Sequence, residues 1–218
     1  MPAQKRRLSK PATCQCDPNC PRKAVPGSAF CEIHNRHCPN KPLLTGYEPP
    51  PEYEIYNGIK DIHDSHNCLA YAVGALFKGS KADDPFPQPG VFSGHKDFRK
   101  TRRKTCPDMV ARMLGDMPSI KISNFHDRCP SKTSKIAMAV DAKAADYHYW
   151  RQGPNGYYTH KPGSTDVVKV DASGRPIYRP DLADRNYTRK GSHLNYNRFC
   201  GYFCVPRTRR ARVARRRT

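Results

Sequence analysis

A chain of 218 residues is long enough for one ordinary domain with appendages and too short for two large ones. Its 39 Lys and Arg outweigh 19 Asp and Glu for a formal charge of +20, which points to a polyanionic partner, while 37% hydrophobic residues and 21 prolines exclude a bundle of long helices. The longest near-apolar run, LAYAVGALF from Leu69 to Phe77, is about half of what crosses a bilayer, so no membrane span is expected.

The basic start leads into Pro, Cys and Asn rather than an apolar leader, so no signal peptide is evident. A reducing interior is the expected setting, and the ten cysteines then read as metal ligands and reactive thiols rather than as a disulfide framework.

In chain order, residues 1–13 form a basic arm with Lys5, Arg6, Arg7 and Lys10. Residues 14–45 follow as a small module whose array runs Cys14, Cys16, Cys20, Cys31, His34 and Cys38. Two close ligand pairs joined by a short loop can surround one tetrahedral ion, and a segment without a core of its own depends on such an ion to fold. The expected set is Cys16, Cys20, Cys31 and His34 around structural zinc, with Cys14 and Cys38 as substitutes or as ligands of a second ion. Cys20, Cys31 and His34 also resemble the end of small Cys3His zinc modules, some of which bind DNA.

The main domain is expected over residues 46–206. The stretch LLTGYEPPPEYEIYNG is too rich in Pro and Gly for regular structure and reads as an ordered wrap. Ser65 and Asn67 then offer N-cap chemistry before a helical apolar stripe at 69, 72, 73, 76 and 77, which puts Cys68 in a helix's first turn. There the macrodipole favours the thiolate, the nucleophilic form. The segment from Lys78 to Thr105 has turn composition and the basic cluster KDFRKTRRKT. A second helix is capped by Thr105, carries Pro107 early, and buries Met109, Val110, Met113 and Leu114.

From Ser119 the stretches SIKIS, KIAMAVD, DYHYWRQ, GYYTHK and FCGYFCVP, parted by turn residues, predict an antiparallel sheet. The expected class is α+β. GPNG is the clearest hairpin signal and sets DYHYWRQ beside GYYTHK, so that His148 and His160 lie on neighbouring strands. Cys200 and Cys204 fall on one face by the two-residue strand period, as packing residues, with a bridge to Cys106 or Cys129 only under oxidising conditions. The tail, residues 207–218, carries Arg207, Arg209, Arg210, Arg212, Arg215, Arg216 and Arg217. Such a tail gives salt-sensitive, sequence-independent contact with DNA or RNA.

The order of a Cys opening a helix, a His on a strand and a polar residue on the next resembles the NlpC-type and CHAP-type branches of the papain-like cysteine peptidases. SHNCLAYAV, DYHYWRQGPNGYYTHKPGSTDV, FCGYFCVP, FCEIH and PLLTGYEP look like a poorly characterised group from bacteria and large DNA viruses, over roughly residues 14 to 205. The resemblance implies a papain-like fold with Cys68 as nucleophile, His148 as general base and His160 as its orienting partner, acting on a peptide or amide bond. The alternative it leaves open is a structural protein of a virus particle that uses the fold for packing, contacts other virion proteins, and resides in the virion or host cell interior.

Overall fold

The computed structural model describes residues 13–76, 88–96 and 104–207. Residues 1–12 of the basic arm, the cluster at 97–103 and the tail arginines Arg209, Arg210, Arg212, Arg215, Arg216 and Arg217 lie outside the described residues.

Among the described residues, five short helices precede or flank one sheet. They are α1 (Glu32–Arg36), α2 (Tyr53–Tyr56), α3 (Lys60–Ser65), α4 (Cys68–Val73) and α5 (Cys106–Asp116). The strands are β1 (Lys121–Ser123), β2 (Thr133–Asp141), β3 (Asp146–Gln152), β4 (Tyr158–Thr159) and β5 (Arg198–Pro206), in the order β1-β5-β2-β3-β4 with every pair antiparallel. The α+β class and the antiparallel sheet follow the sequence pattern. Helix α2 does not, because the Pro-rich wrap admits one turn of helix after Glu52, whose φ is 55°.

The caps explain where the two core helices begin. Asn67 accepts from the N–H groups of Leu69 and Ala70, and Thr105 accepts from Asp108 N–H, satisfying donors that a helix start leaves unpaired. Gly74 ends α4 at φ 71°, a left-handed position where a side chain would be strained.

Both faces of the sheet are covered. On one, α4 and α5 bring Leu69, Val73, Met109 and Met113 against Ile136, Met138, Tyr147, Tyr149 and Phe203. On the other, Cys14, Ala29 and Phe30 of the N-terminal segment join Ala137, Trp150, Tyr158, Tyr178 and Tyr196. Double burial is why IAMAV in β2 is continuously apolar instead of alternating.

Strand β5 departs from simple alternation. Met138 lies opposite Gly201 and Ala139 opposite Phe199, so Cys200 is the extra residue of a bulge. The bulge turns Cys200 toward the α5 side, where it bonds Cys106, while Cys204 pairs with Lys135 in register and bonds Cys129. The same-face expectation for Cys200 and Cys204 is thereby corrected, and both are bridge residues rather than simple packing groups. A third bridge joins Cys16 to Cys38. Six of the ten cysteines are therefore disulfide-bonded, against the expectation of reduced thiols.

Arg207 closes the described chain without projecting from it. Its guanidinium donates to Ala72 O at 2.8 Å and Ser134 Oγ at 2.6 Å, serving one of the carbonyls left open at the end of α4. It is a structural residue and leaves the set assigned to polyanion contact.

Candidate functional site

The N-terminal segment folds back on itself before any helix forms. Cys14 N–H donates to Arg22 O at 3.0 Å and Gln15 N–H to Ala29 O at 2.8 Å, which sets Cys14 over the loop carrying Cys20. Cys31 is the N-cap position of α1, and three residues later His34 lies one helical turn away on the same side. The outcome is a Cys14, Cys20, Cys31 and His34 group whose ligand atoms all lie within 4.8 Å of one another, close enough to hold one metal ion. Cys14 Sγ is 3.2 Å and Cys31 Sγ 3.5 Å from His34 Nδ1, and Cys20 Sγ is 4.0 Å from Cys31 Sγ.

Cys16, expected as a ligand, and Cys38, expected as a substitute, are both consumed by their mutual bridge, and Cys14 takes the fourth place. Spacing along the chain could not separate these roles, because the fold-back and not the interval decides which sulfurs converge. Burial raises the Cys14 thiol, whereas at Cys31 the desolvation cost is outweighed by the His34 and Ile33 N–H groups and the neighbouring sulfurs, and the thiol is lowered.

A residue that sequence reading passed over ties this segment to the body. Gln15 accepts from Tyr178 N–H at 2.7 Å and Arg179 N–H at 3.0 Å and donates to Pro176 O at 3.2 Å, imitating a strand partner through its side-chain amide. Only its neighbours in three dimensions reveal this.

The three catalytic candidates separate into two environments. Cys68 opens α4 as expected, but it is 5% exposed and packs with Tyr147 and Tyr149 on the helix-covered face. Its sulfur has Tyr147 O at 4.0 Å. Burial, with the Asp146 carboxylate adding to it, pushes the thiol up to about 12, so desolvation overrides the helix dipole.

His148 alternates with those two tyrosines and so points to the opposite face, beside Ala139 and stacked on Tyr196 with ring centres 5.1 Å apart. The sheet stands between Cys68 and His148, and the expected nucleophile and base are not brought together. His148 and His160 do meet, Nε2 to Nδ1 at 2.8 Å, while His160 Nε2 donates to Val170 O at 3.1 Å. That bond fixes the tautomer, leaving His160 Nδ1 to accept from His148 Nε2–H. Burial holds both rings neutral, His160 down at about 4 and His148 well below its usual range, with His160 adding to the effect on His148.

Other buried cations act as braces. Arg151 lies 3.9 Å over the Tyr71 ring, pairs with Glu52 at 3.0 Å and donates to Pro50 O and Tyr71 O, clamping the wrap onto α4. Lys161 donates to His63 O, His66 O and Gly163 O, with burial bringing it down to about 8. His66 is brought down to about 4 by burial and the Lys161 charge, and its Nδ1 meets Ser65 Oγ at 2.8 Å.

Sheet, bridges and cysteine cluster define a disulfide-braced α+β protein with a preformed Cys3His group at its N-terminal end. No family model matches the sequence and no solved structure matches the fold. The chain is 31% identical over 153 residues to insoluble matrix shell protein 1 of Ruditapes philippinarum, a match that covers 69% of this chain and 87% of that protein. It belongs to the same family as that protein. No helix among the described residues is long and apolar enough to cross a membrane.

Proposed function

We propose that this chain is a non-catalytic structural component of an insoluble extracellular matrix. In this reading a papain-like scaffold is kept for packing, three disulfides and one structural zinc ion hold it rigid, and the basic ends contact acidic neighbours. The observation that carries it is the position of Cys68, sealed in the core and parted by the sheet from His148. A cysteine hydrolase needs the thiolate and imidazole within hydrogen-bond reach of each other.

Three further features support it. The relative is named as a protein of an insoluble shell matrix. Bridges at Cys16–Cys38, Cys106–Cys200 and Cys129–Cys204 suit an oxidising exterior rather than a cell interior. Tetrahedral zinc with thiolate and imidazole ligands sets ligand spacings of about 3.8 Å between sulfurs and about 3.5 Å from sulfur to nitrogen. The 4.0 Å and 3.2 to 3.5 Å contacts of the Cys3His group lie close to both. The ion would fasten Cys14 and Cys20 to α1.

The test is iodoacetamide labelling of native protein from pH 6 to 9 with the label located by mass spectrometry, paired with localisation of the chain by antibody. Cys68 is expected to stay unlabelled until denaturation, equally so in His148→Ala, and the antibody to mark the insoluble extracellular fraction. A Cys68 that titrates well below about 8.5 and shifts upward in His148→Ala overturns the non-catalytic reading.

A further inference from the structure

A cleft of about 370 Å³ opens between the N-terminal segment and the GPNG turn, at the small end of the range for ligand sites. Its lining includes Arg36, Lys41, His34 and His37 and no carboxylate. Arg36 and Lys41 are exposed and make no ion pair among the described residues. An uncompensated pair of permanent cations in a concave wall raises the local concentration of anions.

The amides at the rim are set to donate. Asn35 Oδ1 already accepts from Ser28 Oγ at 2.9 Å, and Asn155 Oδ1 from Tyr157 N–H at 3.1 Å. Each therefore has its oxygen committed and its NH2 group available for a ligand acceptor. The rest of the lining is apolar, from Phe30, Pro42, Leu44 and Tyr178. A bare phosphate or sulfate would leave that surface and most of the volume unfilled. A sugar ring, with an apolar C–H face and a polar edge, uses both.

The walls are fixed rather than adaptable. The Cys16–Cys38 bridge and the α1 cysteine cluster anchor one side. On the other, Gly156 sits at φ 82° and so close to Pro42 that an added Cβ would meet its Cγ at 3.0 Å, leaving no slack between turn and segment. A preformed site loses less entropy on binding.

We propose that this cleft binds an acidic saccharide unit, its carboxylate or sulfate held by Arg36 and Lys41 and its ring laid on the apolar floor, with Asn35 and Asn155 donating to hydroxyl or ring oxygens. The inference is independent of the matrix reading, since a soluble enzyme could carry the same cleft. Titration calorimetry on the full chain, with the chondroitin 4-sulfate disaccharide, lactose and inorganic sulfate as probes, tests it. The acidic disaccharide is expected to bind at least tenfold more tightly than either lactose or sulfate. Arg36→Gln with Lys41→Gln should weaken it tenfold or more. Asn155→Asp keeps the oxygen that serves Tyr157 N–H but removes the NH2 donor and adds a negative charge, and it should weaken binding as well. Arg215→Ala with Arg216→Ala and Arg217→Ala should leave disaccharide affinity within twofold, with melting temperatures reporting that all variants fold. Sulfate binding as tightly as the disaccharide, or affinity that falls with the tail and not with Arg36 and Lys41, overturns the proposal.

Discussion

Breaking the Cys106–Cys200 bridge in a Cys106→Ser, Cys200→Ser variant should cost several kcal/mol, and the amount follows from how the bridges nest. Alone, a bridge spanning 94 residues restrains the denatured chain by about 4.6 kcal/mol in the chain-entropy account. With Cys129–Cys204 intact, however, the chain already returns from Cys129 to within four residues of Cys200. The loop closed by the second bridge is then only about 27 residues, and its loss costs about 3.5 kcal/mol. At roughly 2 to 4 °C per kcal/mol for a chain of this size, the melting temperature should fall by about 7 to 14 °C. Removing Cys129 and Cys204 as well should remove a further ~4.5 kcal/mol, from a loop of 75 residues. The assay is thermal unfolding by circular dichroism, with thiols counted after denaturation without reductant. Four alkylated cysteines, Cys14, Cys20, Cys31 and Cys68, are expected in the metal-free chain. Ten free thiols, or a melting temperature that moves less than about 2 °C in the first variant, would refute the bridged architecture and the order of these losses.

The buried histidines predict an acid-sensitive fold. His66 and His160 sit at about 4 when folded and His148 is also depressed, so between about pH 6.5 and 4 the unfolded chain binds more protons. Stability should therefore fall as pH falls, by up to ~1.4 kcal/mol per pH unit for each ring, and a denaturant midpoint that is flat from pH 7 to 4.5 contradicts this. Metal analysis should find one zinc per chain, with Cys31→Ser losing it and a chelator lowering the melting temperature without changing the bridges. Arg151→Met should destabilise by about 3 to 5 kcal/mol because Glu52, Pro50 O and Tyr71 O lose a shared donor, and urea unfolding at equal slope reads it. A loss under 1 kcal/mol would show that the wrap holds without the clamp.

Local chemistry carried a good part of the fold in the sequence. The Asn67 and Thr105 caps, the apolar stripe of α5, and the Asn-Gly turn after β3 each act within a few residues, so pattern sufficed to place them; the stripe expected after Cys68 overran the helix, which Gly74 ends at Val73. The pairing of His148 with His160 was also legible, since a tight hairpin leaves neighbouring strands little freedom. The Cys3His group was half legible. A Cys-x2-His spacing puts two ligands on one turn where the segment is helical, as at the start of α1, but selecting Cys14 over Cys16 required the fold-back that pairs Cys14 with Arg22.

What the sequence determined by itself was therefore the two core helices, the strands of the sheet, the α+β class, and the cysteine-rich character of the N-terminal end; the short helices α1, α2 and α3 were not among them. What only the tertiary structure decided was the company those residues keep. One bulged residue in β5 sends Cys200 to α5 and leaves Cys204 for Cys129. The side-chain alternation of β3, set by which face α4 covers, places Cys68 with Tyr147 and Tyr149 and turns His148 away from it. Both outcomes depend on register and on the face chosen by distant packing, and a strand's own sequence constrains neither when both of its faces are buried.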